Sequence, residues 1–327
     1  MRAVRFHEFG GPDVLRIDEV PDPEVPDDGV LVRVAAAALN PIDLEIRAGT
    51  VSTVLIGTTP RGLGADLAGT IVRVGREVER YAVGDRVIAM LPTFKGEAYA
   101  EYAAAAEDAL APWPEGASAA EAAGTPLVAL TALQGLRSRG GLRAKHRVLV
   151  NGASGGVGSM AVQVARRFGA HVVGTASAPH LALVRELGAH EAVDYGEEDV
   201  TRREGFDIVF DVAGTIPFAK ARPMLRGTGA YVTTKVTPGV VARTVLQKAM
   251  PGPTMAFCQA FPDGETLEGV QAVLGAGLRT VVDRTFPLDH AAEAHRYLAE
   301  QTGAGKVVLI VDPSQDVAAG AATGTDG

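Results

Sequence analysis

Val148-Leu-Val-Asn-Gly-Ala-Ser-Gly-Gly-Val-Gly-Ser-Met-Ala-Val-Gln-Val-Ala-Arg-Arg-Phe-Gly-Ala170 decides how the chain is read. Val148 to Val150 is a short β-branched apolar run, the pattern of a buried strand. Gly152, Gly155 and Gly158 follow at three-residue spacing. Val157, Ala161, Val164, Ala165 and Phe168 then recur at helical spacing, and Gly169 closes a helix expected over 157–168. Strand, glycine turn and helix form a phosphate-binding βα unit. Glycines permit a tight turn and close backbone approach, and the helix N-terminus offers unpaired N–H groups and a positive dipole end to a pyrophosphate. A crowded strand-to-helix turn can also take glycines for packing alone. A legible strand before them and helix after them favour a dinucleotide.

His171-Val-Val-Gly-Thr-Ala-Ser-Ala178 reads as the next strand and its exit. An NAD site usually carries Asp or Glu there, bonded to the ribose hydroxyls. Here stand Thr175, Ala176 and Ser177. Without a carboxylate there is no repulsion against a 2′-phosphate, so NADPH is the expected cofactor. Ser177 either donates to that phosphate or caps the helix that begins near Pro179. No Lys or Arg lies between Arg167 and Arg185, so the cation such a phosphate wants is not visible locally.

At 327 residues the chain is long for one core, and two domains are expected. Lys and Arg number 31 against 39 Asp and Glu, a net charge of −8, which argues against a nucleic-acid partner. Cys258 is the single cysteine, so neither an internal disulfide nor a cysteine-rich zinc site is expected. No stretch has the length of a signal peptide or membrane span, and a cytoplasmic enzyme without membrane attachment is the expectation.

Residues 1–125 read as short strands separated by turns: Ala3–Phe6, Leu15–Glu19, Gly29–Ala37, Ala68–Val74 and Asp85–Ala89. That is the pattern of a β-rich, barrel-like domain. A helical pattern over Pro126–Leu136 leads into the strand at Val148. From there strand and helix alternate: a helix over 180–187, strands at Ala192–Asp194 and Phe206–Val212, a helix through Leu225 and a strand at Gly229–Thr234. This alternation predicts a doubly wound parallel sheet, a Rossmann-type α/β domain. Met255–Phe261 is expected as its edge strand. Helices are expected over 265–278 and 289–301, then a last strand, Lys306–Val311, returning to the first domain. Residues 313–327 are expected to be a disordered tail.

Several segments, in this order, resemble the zinc-independent quinone and enone reductases of the medium-chain dehydrogenase/reductase superfamily. They are Phe9-Gly-Gly-Pro-Asp-Val-Leu15, Asn40-Pro-Ile-Asp43, Gly64-Ala-Asp-Leu-Ala-Gly69, Val83-Gly-Asp-Arg-Val87, Tyr99-Ala-Glu-Tyr102, Leu130-Thr131, Gly152 to Gly158, Leu187-Gly-Ala189, Asp194-Tyr195, Asp211-Val-Ala-Gly214, Ala292-Glu-Ala-His295 and Gly305-Lys-Val-Val308. The resemblance spans roughly residues 1–311. It implies a GroES-like catalytic domain at 1–125 and 262–312, an inserted Rossmann NADP(H)-binding domain at 126–261, and an active site in the cleft between them. Zinc-dependent relatives place a cysteine where Asn40 stands and a His-Glu pair where Ala65-Asp66 stands. Neither position here offers a thiolate or imidazole, so no metal is expected.

The resemblance implies that Asn40 and Asp43 are polar active-site residues beside the nicotinamide. Asn-Pro-x-Asp is also good turn chemistry, with Asp43 capping the following helix, and both readings stand. It further implies that Thr131 lies near the nicotinamide amide, or is plainly a helix residue. Ser154, Gly155, Gly156, Val157 and Gly158 resemble the pyrophosphate loop. Tyr195 resembles the tyrosine near the 2′-phosphate, or is a surface aromatic. Lys306 resembles the lysine before the last strand, which the resemblance implies is a cofactor-binding residue, with a solvated lysine as the alternative. His290 and His295, five apart, share no helical face and read as structural. Many relatives carry Lys or Tyr two residues after the active-site Asp, where this chain has Glu45. Such a group stabilises an enolate oxygen and a carboxylate does not, so Glu45 faces solvent or the substrate is handled differently. Tyr99, or the ribose hydroxyl of the cofactor, is then the candidate proton or hydrogen-bond donor.

The function these features predict is hydride transfer from NADPH to a quinone or α,β-unsaturated carbonyl. A tailoring enoyl reductase of a biosynthetic, polyketide-like pathway and a non-catalytic cofactor-binding protein are the alternatives. Residues 44–60 and 236–260 are the expected pocket lining. The family implies a homodimer through the edge strand, which would otherwise be an association hazard.

Overall fold

The computed structural model describes residues 1–51, 57–246, 252–260, 270, 277–300 and 302–316. Its strands are β1 (Arg2–Arg5), β2 (Arg16–Glu19), β3 (Gly29–Ala38), β4 (Asp66–Val74), β5 (Arg86–Met90), β6 (Tyr102–Ala106), β7 (Leu110–Pro112) and β8 (Arg147–Asn151). They continue with β9 (His171–Ala176), β10 (Glu191–Asp194), β11 (Phe206–Asp211), β12 (Leu225–Thr233), β13 (Thr254–Phe257), β14 (Val282–Pro287) and β15 (Lys306–Ile310). The chain divides into two compact units, Met1–Pro126 with Pro262–Gly327, and Leu127–Phe261.

The first unit is built on a mixed sheet in the order β14-β15-β3-β4-β5-β7, with β6 also on β3, beside a separate β1-β2 pair. β3 is the centre of this sheet and reads Gly-Val-Leu-Val-Arg-Val-Ala-Ala-Ala-Ala, with only Arg33 exposed. β15 runs antiparallel to β3, within the unit that holds the N-terminal strands. β14 was not legible in the sequence, because Val-Asp-Arg-Thr-Phe-Pro mixes polar and apolar residues without strict alternation and buries only Phe286. The expected disordered tail is corrected at its start. Asp312 caps a 3-10 turn at Pro313–Gln315, and Gln315 is buried, its amide oxygen accepting from Thr70 Oγ1 at 2.9 Å. Residues 317–327, and nearly all of the helix expected over 265–278, lie outside the described residues.

The second unit is a six-stranded sheet in the order β10-β9-β8-β11-β12-β13, every neighbouring pair parallel. This is the doubly wound order, with its reversal of direction between β8 and β11. Val148, Leu149, Val150, Ile208, Val209 and Phe210 are fully buried, because helices cover both faces of a parallel sheet. Each such side chain contributes about 1.5–3 kcal/mol of hydrophobic burial. The glycine-turn helix runs Gly156–Arg167, one residue earlier than expected. The helix Pro126–Leu133 passes into a π-helical turn at Gln134–Arg139, in place of a single helix through Leu136. Among the described residues β13 has β12 as its one strand partner and stands at the end of the sheet.

Candidate active site

In the second unit, the glycine turn is pinned by three strand ends. Asn151, at the end of β8, donates from Nδ2 to Asp211 Oδ1 at 2.7 Å and to Thr215 Oγ1 at 2.8 Å. Thr175, near the end of β9, donates to Asn151 Oδ1 at 2.7 Å and accepts the Gly152 N–H at 3.0 Å. The three glycines have different duties. Gly152 holds φ at +84°, which favours glycine. A Cβ on Gly158 would sit 2.0 Å from Gly152 O, so this glycine lets the helix approach the strand. A Cβ on Gly155 would meet nothing nearer than Gly152 O at 3.6 Å. The protein itself does not need glycine at 155, and the open space there fits a group from outside the chain. No side chain caps the helix at Gly155 and no acid stands in its first turn, so its leading N–H groups suit an anion. Ser154, Gly156 and Val157 are half-buried around this turn.

Ser177 and Tyr195 come together at the ends of adjacent strands. Asp194 of β10 pairs with Ala176 of β9, and the Tyr195 N–H donates to Ala176 O at 3.3 Å. The Tyr195 ring is 63% exposed. Asp194 is the acid nearest this edge in sequence, and its Oδ1 is taken by the Gly196 N–H at 2.8 Å. Ser177 Oγ lies 3.2 Å from His180 Nδ1, which places a basic side chain at this end of the sheet. This base is a histidine, not a Lys or Arg, and its three-residue spacing from Ser177 within a turn is the local signal for it. Thr131 is buried in the helix Pro126–Leu133, and its carbonyl accepts the Cys258 thiol at 3.5 Å. Burial pushes that thiol up to about 12.

In the first unit a buried polar cluster gathers Asn40, Asp43, Asp66, Tyr99 and Lys306. β3 delivers Asn40, and Pro41 sets the start of the helix Pro41–Ala48. Asp43 Oδ2 accepts the Asn40 N–H at 2.8 Å, the returning half of a capping box. The Asn40 side chain turns elsewhere, donating to Asp66 Oδ2 at 3.0 Å and accepting from Lys306 Nζ at 2.6 Å. Tyr99 OH donates to Asp43 Oδ2 at 2.8 Å. Gly64, at φ +99°, leaves room for the Tyr99 ring, which a Cβ would meet at 2.5 Å. Burial drives the Asp43 carboxyl from 3.8 up to about 6, against the opposing bonds from Tyr99 and Asn40. Asp43 Oδ1 has no hydrogen-bond partner. Burial, then the Asp43 charge, push the Tyr99 phenol well up, so it stays protonated.

Matches to known proteins cover both units. Residues 26–115 match the model of the alcohol dehydrogenase GroES-like domain, and residues 187–309 that of the zinc-binding dehydrogenase. The chain is 32% identical to a chloroplast envelope quinone oxidoreductase homolog of Arabidopsis thaliana, over 94% of this chain and 98% of the relative. It is 35% identical to an NADPH-dependent alkenal/one oxidoreductase of the same plant, over 96% and 80%. The solved structure of the quinone oxidoreductase from Coxiella burnetii superposes with a TM-score of 0.85 at 32% identity, covering 95% of this chain and 99% of that one. The chain belongs to the quinone oxidoreductases of the medium-chain dehydrogenase/reductase superfamily.

One matched domain carries zinc in its description, and zinc binding needs thiolate, imidazole or carboxylate donors. Among the described residues no group of three or more His, Cys, Asp or Glu can hold a metal ion. The polar cluster has an amide at 40, alanine at 65 and a lysine ammonium already seated on Asp66. Such a set does not fit zinc. Glu45 is exposed on the helix Pro41–Ala48, one of the two outcomes anticipated for it.

His295 joins the cluster from the helix Ala291–Glu300, which the i, i+5 relation to His290 gave no reason to expect. Its ring meets Tyr99 edge-on, centroids 6.0 Å apart, and its Nδ1 lies 3.3 Å from the Arg47 guanidinium. Burial, then Arg47, lower His295 to about 3, so it is neutral at physiological pH. A cavity of about 600 Å³ in the first unit, lined by Trp113, Glu121, Thr125 and Thr280 among others, includes none of the expected site residues. Among the described residues no helix is long and apolar enough to cross a membrane.

Proposed function

We propose that this oxidoreductase reduces quinones or α,β-unsaturated carbonyls with NADPH, without zinc. The observation that carries the reading is Gly155, whose missing side chain leaves open space in front of an uncapped helix. Bound NADPH supplies the hydride. Ser154, Gly155, Gly156, Val157 and Gly158 seat its pyrophosphate, and Thr131 its nicotinamide end. Ser177 and Tyr195 flank the 2′-phosphate, with His180 as the basic side chain of that corner. The named NADPH-dependent relative supports NADPH as the cofactor.

Hydride addition to an enone leaves an enolate, and addition to a quinone leaves a hydroquinone anion. One proton completes either product. Asp43, held at about 6, gains and releases a proton near neutral pH, and Tyr99 keeps its phenolic proton directed at Asp43 Oδ2. Asn40 Nδ2 has a second N–H beyond the one given to Asp66, a fixed donor suited to a developing oxyanion. The edge strand β13 pairs two copies in a homodimer, and the enzyme works in the reducing cytoplasm, in keeping with Cys258 as a buried thiol.

The test is fluorescence titration with NADPH and NADH in parallel, then addition of 9,10-phenanthrenequinone or an alkyl vinyl ketone. Tighter NADPH binding, followed by its oxidation, is the expected result. Tight NADPH binding without oxidation across a broad panel of quinones and enones would overturn the reading.

A further inference from the structure

The register of the first sheet brings a cation to the end of β3. Val308 of β15 lies opposite Ala38, and continuing that antiparallel register sets Lys306 opposite Asn40. On the other side of β3, Asp66 lies opposite Ala38. Lys306 is 4% exposed, and its ammonium donates to Leu39 O at 2.8 Å, Asn40 Oδ1 at 2.6 Å and Asp66 Oδ2 at 3.3 Å. An ammonium has three N–H groups, and these three acceptors engage them all. None is left for a cofactor phosphate.

We infer that Lys306 is a positioning residue: its ammonium is a built-in cation that fixes the Asn40 amide and neutralises Asp66, occupying the place of a metal ion and making no cofactor contact. Turning the Asn40 amide over would set its NH₂ against the ammonium and its oxygen against the Asp66 carboxylate, both repulsive. The direction of the free Asn40 N–H is therefore fixed before any substrate arrives. The Asn40 backbone N–H continues the chain to Asp43, and through it to Tyr99. Asp66 is fully buried, and removing Lys306 takes away the ammonium that balances its charge. A second cation brought to the same oxygens would meet the ammonium at close range.

The first test uses the wild-type protein. Brief acetic anhydride treatment followed by peptide mass spectrometry should leave Lys306 unmodified with and without NADPH, while exposed Lys95 and Lys220 react. Labelling of Lys306 in the free protein that NADPH suppresses would make it a cofactor contact and overturn the inference. The second test is Lys306→Ala. It should lose at least 50-fold in kcat while its NADPH Kd stays within threefold. Ethylammonium should restore at least tenfold of that kcat saturably, and tetramethylammonium, which has no N–H, should not. A folded variant with unchanged kcat, or one with weakened NADPH binding and no rescue, overturns it.

Should Lys306→Ala fail to fold, soluble protein recovered only when ethylammonium is present during refolding supports the inference, and the wild-type labelling still decides it. The activity arm rests on the quinone and enone reading. Were the wild type inactive on every acceptor, that reading alone would fail, and the rise in Tm of Lys306→Ala with ethylammonium would decide the role of Lys306.

Discussion

Gly155→Ala separates cofactor binding from folding. The added methyl would meet only Gly152 O, at 3.6 Å, and the backbone at φ −73°, ψ 175° suits alanine. Replacing glycine at a helix N-cap with alanine costs about 0.5–1 kcal/mol. Stiffening the unfolded chain offsets about 0.4–1 kcal/mol of that, so Tm should move by no more than a few degrees. In the proposed binding mode the methyl stands where the pyrophosphate approaches the helix. Losing one or two charge-assisted hydrogen bonds, each about 1.5–3 kcal/mol, weakens NADPH at least about tenfold, and about a hundredfold for a loss near 3 kcal/mol. Thermal melts read this directly. At NADPH equal to 100 times the wild-type Kd, the wild type gains about 2.7 kcal/mol, and a variant bound a hundredfold more weakly gains about 0.4 kcal/mol. Gly158→Ala is the contrasting control. Its Cβ would lie 2.0 Å from a backbone oxygen, so it should lose about 1–3 kcal/mol or more of stability without ligand. Gly155→Ala protein that binds NADPH within threefold of wild type would refute the placement of the pyrophosphate over this turn.

Asp43 gives the protein a pH signature. Its folded value of about 6 exceeds the ordinary 3.8, so the stability it contributes is present below about pH 4 and is lost as pH rises through 6. Relative to Asp43→Asn, the wild type should lose roughly 3 kcal/mol between pH 4 and 7, read by denaturant melts, and parallel curves would contradict the buried carboxyl. Neutral His295, lowered to about 3, has the opposite slope, with stability present above about pH 6.5 and lost on acidification, so His295→Gln should flatten the acid limb. Tyr99→Phe leaves Asp43 with only the Asn40 N–H and should cost about 1–3 kcal/mol of stability while moving the Asp43 limb of the kcat profile to higher pH. Cys258, buried and raised to about 12, should resist iodoacetamide at pH 8 until the protein unfolds, and rapid native labelling would contradict that burial.

What was legible in the sequence is what neighbouring residues decide among themselves. The glycines at 152, 155 and 158 and the helix after them are close in sequence, and periodicity located the helix to one residue. The parallel sheet was legible for the same reason, since each strand is a short apolar run between helices. The polar cluster was legible only by resemblance, as separate names. Lys306 reaches Asn40 across 266 positions and Asp66 across 240, and no local pattern says that three such residues share one bond network. The contact of His295 with Arg47 spans 248 positions and was missed outright. Strand β6, Tyr-Ala-Ala-Ala-Ala, has one aromatic and no β-branched residue, and its place on β3 comes from pairing, not propensity.

The lateness of β15 has a consequence for synthesis. β3 forms its contacts with Lys306–Ile310 only after the whole second unit has emerged. At about 5–20 residues per second, Asn40 and Asp66 wait on the order of 15–50 s on the ribosome for their lysine. The second unit, continuous in sequence, is free to fold during that wait. The nascent N-terminal segment meanwhile carries an open strand edge and a carboxylate without its partner. Truncation before residue 306 should therefore yield a chain whose N-terminal unit is a chaperone client, while Leu127–Phe261 has all of its own strands.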